Sequence, residues 1–114
     1  MAWSNSVRLR DYYSAPDARG VYEIGFLRDG IFNPLYVGKA DSSVYDRLKR
    51  HYEGRGNQHV MSYLVTRERD NLWCHWMGVQ DPGYTEANLM NNFGIGDDGV
   101  YKFNCRLETK KPRA

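Results

Sequence analysis

The sequence predicts a small α/β domain in which helices cover a three-stranded, largely antiparallel sheet. Segments typical of strands and helices follow one another in the order strand, strand, helix, helix, strand, helix. Apolar residues make up 41% of the chain and are spread along its length, which excludes a disordered composition. With 114 residues there is room for one domain with its own core, so we expect a single domain over residues 1–114.

The first part of the chain predicts a short helix and a β-hairpin. Residues 4–14 favour the helix, and Pro16 ends it at the latest because the residue before proline avoids the helical region. From Gly20 the run GVYEIGFL is rich in β-branched and aromatic residues, and PLYVGKA has the same character. Asp29-Gly30 lies between the two runs as a turn signal. The runs therefore predict an antiparallel hairpin.

The middle of the chain predicts two helices. Ser43 is a good N-cap, and Asp46 three residues later completes a pattern like a capping box, so the first helix runs from Ser43 to about Tyr52. The glycines of Glu53-Gly54-Arg55-Gly56 interrupt the chain. The second helix is expected from Asn57 to about Arg69. Its buried stripe consists of Val60, Met61, Leu64 and Val65.

The last third predicts one strand and one helix. The run NLWCHWMGV is the strand, Asp81-Pro82-Gly83 is a turn, and the helix extends roughly from Tyr84 to Phe93. Gly94 follows directly and indicates that the helix ends after Phe93. The run VYKFNCRL is irregular or extended, and the tail ETKKPRA is expected to fray.

Composition limits the compartment and the kinds of site. The sequence has no apolar run near the length of about 18 residues that a membrane span needs, and its start lacks the apolar stretch of a signal peptide. We therefore expect a cytoplasmic protein without a membrane partner. Cys74 and Cys105 belong to no CxxC pair, so free thiols are expected rather than a disulfide or a zinc site.

Charge is unevenly distributed along the chain. Residues 80–99 carry a charge of −4 with no Lys or Arg, so the rest of the chain carries +6. An acidic insert within basic surroundings suits a cation site beside a phosphate-binding surface. Ordinary charge fluctuation on a solvated surface explains the same pattern, and charge alone favours that interpretation. The candidate nucleic-acid-binding residues are Lys49, Arg50, Arg55, Lys110 and Lys111.

Two tripeptides occur in the predicted hairpin, Gly20-Val21-Tyr22 in its first strand and Tyr36-Val37-Gly38 in its second. The residues that complete the pattern are, in order, Lys39, Arg47, His51, Glu86 and Asn104. In this order the sequence resembles the GIY-YIG nuclease superfamily over about residues 18–105, which we take as the core, followed by a basic tail over 106–114. The resemblance implies a metal-dependent endonuclease that hydrolyses DNA phosphodiester bonds, with Mg²⁺ or Mn²⁺ as its cofactor.

Arg47 and His51 are four residues apart on the predicted helix, so they point the same way. A guanidinium binds phosphate through two parallel hydrogen bonds and stays charged at any working pH. Histidine titrates near neutrality, so His51 is expected to pass protons or to donate to a phosphate. The competing interpretation is a solvated helix face, which the residues alone would favour.

Glu86 lies near the start of the last predicted helix, where the helix dipole favours a negative charge. That structural explanation is sufficient on the residues alone. The resemblance implies instead that Glu86 is the ligand of one divalent ion, for which Mg²⁺ is well suited because it keeps several waters and needs one or two carboxylates.

The resemblance also assigns roles to Tyr22, Tyr36, Lys39 and Asn104. Tyr22 and Tyr36 are expected to face each other across the hairpin. Tyr22 would position or deprotonate the attacking water, alone or with His51, and Tyr36 would orient water or phosphate. A tyrosine is a poor base unless a cation such as Lys39 stabilises its phenolate, so the identity of the base stays open. Asn104 is expected to support the site, although a loop asparagine that satisfies the backbone is nearly as good an explanation.

DNA is the expected partner, and RNA stays open as a second substrate. Since one domain carries one active site, the simplest hypothesis is the nicking of one strand per encounter. Specificity would then come from loops, from the tail, from a homodimer or from a partner protein. Two alternatives remain: a nucleic-acid-binding module with this fold that does not cut, and a generic α/β interaction domain in which the tripeptides occur by chance.

Overall fold

The sheet has four strands rather than the three predicted, and all of its pairings are antiparallel. The computed structural model describes residues 2–55, 64–65 and 67–104. The strands are β1 (Val7–Arg8), β2 (Gly20–Arg28), β3 (Ile31–Ala40) and β4 (Trp73–Gly78), in the spatial order β1-β4-β2-β3. The prediction missed β1 because two residues are too few to show the alternation that identifies a strand.

The hairpin of β2 and β3 confirms the prediction. Its turn consists of Asp29, with φ 54°, and Gly30, with φ 77°, between the paired residues Arg28 and Ile31. Two consecutive residues with positive φ match the right-handed twist of a hairpin, and Asp-Gly adopts this conformation at low cost. The register shifts once, between Ile24 and Gly25.

Two α-helices cover the sheet within the described residues. The first, α1 (Val44–Tyr52), begins as predicted after Ser43, whose hydroxyl accepts a hydrogen bond from the Asp46 amide at 3.0 Å. The second, α2 (Pro82–Phe93), begins two residues earlier than predicted because proline suits the first helical position and Asp81 caps it.

The predicted helix over residues 4–14 was wrong over its first half. Strand β1 occupies its middle, and a 3₁₀ helix follows over Leu9–Ser14. A second 3₁₀ helix lies at Arg69–Asn71. Of the predicted helix over 57–69, residues 64, 65, 67 and 68 are helical and residue 69 begins the second 3₁₀ helix. Residues 57–63 and 66, with Val60 and Met61, lie outside the described residues.

Each face of the sheet has its own apolar cluster. Tyr22 and Tyr36 belong to the larger one, which α1 and the first 3₁₀ helix cover. Val37 packs with Met90 of α2 and with Tyr101 on the opposite face. The end of β3 carries residues of both clusters, Tyr36 and Ala40 on one face and Val37 on the other. No helix among the described residues is long and apolar enough to cross a membrane.

Candidate active site

Gly38 allows the ring of Tyr22 to lie across strand β3. Gly38 pairs with Tyr22, and a Cβ atom at Gly38 would lie only 2.3 Å from the Tyr22 hydroxyl oxygen. Any side chain at this position would therefore displace the ring. Packing of the Tyr22 ring therefore requires a glycine at position 38. The Tyr22 hydroxyl is directed toward α1.

The hydroxyl of Tyr22 is hydrogen-bonded to Nε2 of His51 at 2.9 Å, and both residues are buried. Tyr36 completes an aromatic group with them, its ring centroid lying 6.4 Å from that of Tyr22 and 5.2 Å from that of His51. Contrary to the expectation, the two tyrosines are not paired directly opposite each other across the hairpin. Tyr36 pairs with Ile24, so the tyrosines are diagonal neighbours on one face of the sheet.

Arg47 lies half-buried beside this group. Burial acts to lower the pKa of Arg47, but Tyr22, Tyr36 and Asp41 together raise it above its ordinary value. The guanidinium therefore stays charged beside the two hydroxyl groups. With Arg47 half-buried and His51 buried, the solvated-face interpretation of this pair fails.

His51 does not titrate near neutrality, contrary to the expectation. Burial, and next the charge of Arg47, lower its pKa to about 4. At pH 7 the imidazole is neutral, so it cannot donate to a phosphate as a cation. Within the described part of the chain its Nδ1 has no hydrogen-bond partner, so the bond to Tyr22 orients the ring.

Lys39 connects the two layers at the end of β3. Its Nζ is 3.2 Å from a carboxylate oxygen of Asp41, and it lies 3.9 Å from the place where a Cβ atom of Gly83 would stand. Gly83 and Glu86 are three residues apart in α2 and so share one side of that helix. Lys39 therefore approaches the side of α2 that carries Glu86, which is half-buried.

Asn104 is buried and pairs with the backbone of Val37 as another strand would. Its Oδ1 accepts from the Val37 amide at 2.9 Å, and its Nδ2 donates to the Val37 carbonyl at 2.9 Å. Because Val37 stands between Tyr36 and Gly38, these bonds hold the second tripeptide in place. This backbone pairing is what the competing interpretation of Asn104 expected, and its supporting role in the site stays a prediction.

The predicted nucleic-acid-binding residues are only partly together. Lys49 and Arg50 lie on α1, and Arg50 pairs with Asp46 at 3.3 Å. Arg55, beyond the helix, pairs with Glu53. Lys110 and Lys111 lie outside the described residues.

A second buried polar group, not predicted as a unit, lies on the opposite face of the sheet. Glu23 contacts Nε2 of His75 at 2.6 Å and accepts a hydrogen bond from the Tyr101 hydroxyl. Trp3 stacks on His75 and Phe32 packs on it at a tilt, each with ring centroids 4.3 Å apart. A carboxylate inside an apolar strand was the available signal.

Comparison with known proteins connects this geometry to a family. No protein-family model matches the chain, and neither does any curated protein. Solved structures match: the N-terminal GIY-YIG endonuclease domain of UvrC from Thermotoga maritima, bound to its catalytic divalent cation magnesium, is 25% identical with a TM-score of 0.56, over 85% of this chain and 96% of that one. The chain folds as a GIY-YIG superfamily domain.

Two variants of the same UvrC domain agree with this assignment. A tyrosine-to-phenylalanine variant bound to its catalytic divalent cation is 25% identical with a TM-score of 0.55, over 85% of this chain and 93% of that one. An asparagine-to-alanine variant is 24% identical with a TM-score of 0.56, over 86% and 96%. The predicted family of the GIY-YIG domain is thereby confirmed, as is its α/β class, with a fourth strand.

The donors of this GIY-YIG domain fit a magnesium-like ion better than zinc. Among the described residues, no three His, Cys, Asp or Glu side chains gather where they could hold a metal ion. Zinc would need such a group of ligands. Mg²⁺ can be held by one carboxylate, waters and a substrate phosphate, so a single carboxylate would be enough at such a site.

Proposed function

We propose that this chain is a metal-dependent endonuclease that hydrolyses DNA phosphodiester bonds and nicks one strand per active site. The observation that carries the proposal is the buried hydrogen bond from Tyr22 to His51 with the charged Arg47 beside it. The likeness to a UvrC endonuclease domain bound to its catalytic cation supports it. Cytoplasmic location, and DNA rather than RNA as substrate, belong to the same proposal.

Arg47 holds the scissile phosphate. Its charge lies beside Tyr22 and Tyr36, where it stabilises the additional negative charge that develops on the phosphate oxygens. Tyr36, buried against Tyr22 and His51, keeps the aromatic group in place. Lys39 adds a second positive charge on the side of α2.

Tyr22 and His51 move the proton. As the water oxygen bonds to phosphorus and the bond from phosphorus to the 3′ oxygen breaks, Tyr22 takes a proton from the water and transfers its own to Nε2 of His51. His51 is neutral at pH 7, so Nε2 can accept that proton. Burial, the larger cause of the lowered pKa of His51, disfavours the protonated ring. The bound phosphate places negative charge near the imidazole and offsets the smaller cause, the repulsion from Arg47.

Glu86 is the residue that would hold the metal. A bound Mg²⁺ supplies electrostatic stabilisation to the scissile phosphate and to the leaving 3′ oxygen. The half-buried carboxylate on the side of α2 that Lys39 approaches is consistent with this role.

Plasmid cleavage with Mg²⁺ tests the proposal. We expect the unsubstituted protein to cut, and Glu86→Gln and Tyr22→Phe to lose at least about a hundredfold in rate, since each removes a group that acts in the transition state. Glu68→Gln is the matched control, because Glu68 is also half-buried but lies at the second 3₁₀ helix. We expect it to cut normally.

Other results would replace the proposal. Retained DNA binding without cleavage of plasmid, single-stranded or branched DNA would indicate the non-catalytic binding module. Neither binding nor cleavage would indicate an interaction domain. Cleavage by Glu86→Gln at the normal rate would remove Glu86 from the metal site.

A further inference from the structure

A polar cleft of about 180 Å³ opens next to Arg47, between the end of β3 and the start of α1. Three cations line it, Lys39, Arg47 and Arg50, together with the carboxylates of Asp41 and Asp46. Serine hydroxyls complete the wall, and the lining contains no apolar side chain. Such a wall suits a hydrated, charged ligand rather than an apolar one.

Two of the cations are held by exposed carboxylates. Lys39 pairs with Asp41 at 3.2 Å and Arg50 pairs with Asp46 at 3.3 Å, and all four side chains are between 43% and 72% exposed. Exposed pairs of this kind contribute only about 0–1 kcal/mol. An incoming anion can therefore replace the carboxylates at little cost.

The helix terminus itself does not supply the site. The amides of Val44 and Tyr45 already donate to the carbonyls of Ala18 and Pro16, at 2.9 and 3.0 Å. The Asp46 amide donates to the Ser43 hydroxyl. An anion in the cleft must therefore be bound by the Lys and Arg side chains, which match phosphate through charge and, for Arg, through paired donors.

We propose that this cleft binds the phosphate next to the scissile one on the strand that is cut, through Arg50 and Lys39. The inference rests on the proposed function, because it takes Arg47, which lines the cleft, as the residue that holds the scissile phosphate. It defines the substrate as a chain with at least two consecutive phosphates. Isolated phosphodiesters leave the cleft empty and are poor substrates.

Single-stranded DNA oligonucleotides that carry one uncharged methylphosphonate linkage test the cleft. For the unsubstituted protein with Mg²⁺, we expect cleavage to be lost at that linkage and to fall about tenfold at one adjacent linkage, since one charged contact is missing. Arg50→Ala should cut more slowly, and the adjacent linkage should no longer be affected.

Arg28→Ala is the control for charge. Arg28 is exposed and stands at the other end of the hairpin, about 23 Å from Lys39 along the strands at roughly 3.3 Å per residue. We expect this variant to keep the pattern of the unsubstituted protein. If the adjacent linkage is cut normally, or if Arg50→Ala keeps the same pattern, the cleft does not bind that phosphate.

A binding measurement without metal separates this inference from the catalytic proposal. Affinity for single-stranded DNA is measured by fluorescence anisotropy at several salt concentrations. The negative slope of log affinity against log salt should become shallower by about 0.7 in Arg50→Ala, the value for one phosphate contact. Asp46→Asn should bind more tightly, because it releases Arg50. If the protein cuts nothing but these two shifts appear, the cleft stands and the nuclease proposal fails. If the slope for Arg50→Ala equals that of the unsubstituted protein, the cleft does not bind a phosphate.

Discussion

At the scale of single residues, burial decides what His51 can do. A histidine on a short helix is ordinarily an exposed group that titrates near neutrality. Here the ring lies under the sheet, bonded to Tyr22 and close to Arg47, and its pKa falls to about 4. Gly38 makes this arrangement possible, because only a residue without a side chain leaves room for the Tyr22 ring. Position along the helix did not indicate either effect.

Loss of stability in acid follows from the lowered pKa of His51. In the unfolded chain the ring binds a proton near pH 6.5 but in the folded protein only near pH 4, so the unfolded state takes up the proton first. The contribution of neutral His51 to the free energy of unfolding is complete above pH 6.5. It is lost as the pH falls toward 4, by about 3 kcal/mol in all. The free energy of unfolding, measured with urea at pH 7.5 and 4.5, should fall less for His51→Phe than for the unsubstituted protein. Equal losses would contradict the shift.

At the scale of secondary-structure elements, Asn104 replaces a missing strand. Strand β3 is at the edge of the sheet, where unpaired backbone groups are exposed to other chains. The Asn104 amide satisfies both polar backbone groups of Val37, and Phe103 donates its amide to the Leu35 carbonyl at 2.9 Å. The segment after α2 therefore fixes the edge that carries Tyr36.

Replacement of Asn104 by alanine should destabilise the protein. Two buried backbone groups of Val37 would lose their partners, which costs about 2–4 kcal/mol. Asn91→Ala, on the exposed side of α2, should change stability by less than about 0.5 kcal/mol. The comparison is made by urea unfolding. A loss for Asn104→Ala no larger than that of the control would show that these bonds do not hold the edge.

At the scale of the whole molecule, the candidate site draws its residues from both faces of the sheet. Tyr22, His51 and Arg47 belong to the α1 side of the sheet, and Glu86 belongs to the α2 side. Lys39, at the end of β3, reaches both. If these residues act together as one active site, as proposed, each encounter should produce one cut.

A time course on supercoiled plasmid should therefore show the nicked circle first and linear DNA only later. The initial rate should be proportional to protein concentration, because each molecule acts alone. Linear DNA that appears without a nicked intermediate, with a rate that depends on the square of the protein concentration, would indicate a dimer that cuts both strands.

The sequence by itself determined the elements whose signals are local. The Asp-Gly turn, the Ser43 cap and the runs rich in β-branched and aromatic residues located the hairpin and α1. The order of the tripeptides and later polar residues indicated the superfamily. Only the tertiary structure decided the two-residue strand β1, the diagonal register of Tyr22 and Tyr36, the buried Glu23–His75 contact and the lowered pKa of His51. Each of these depends on contacts between residues far apart in the chain, and neither propensity nor spacing along the sequence carries information about such contacts.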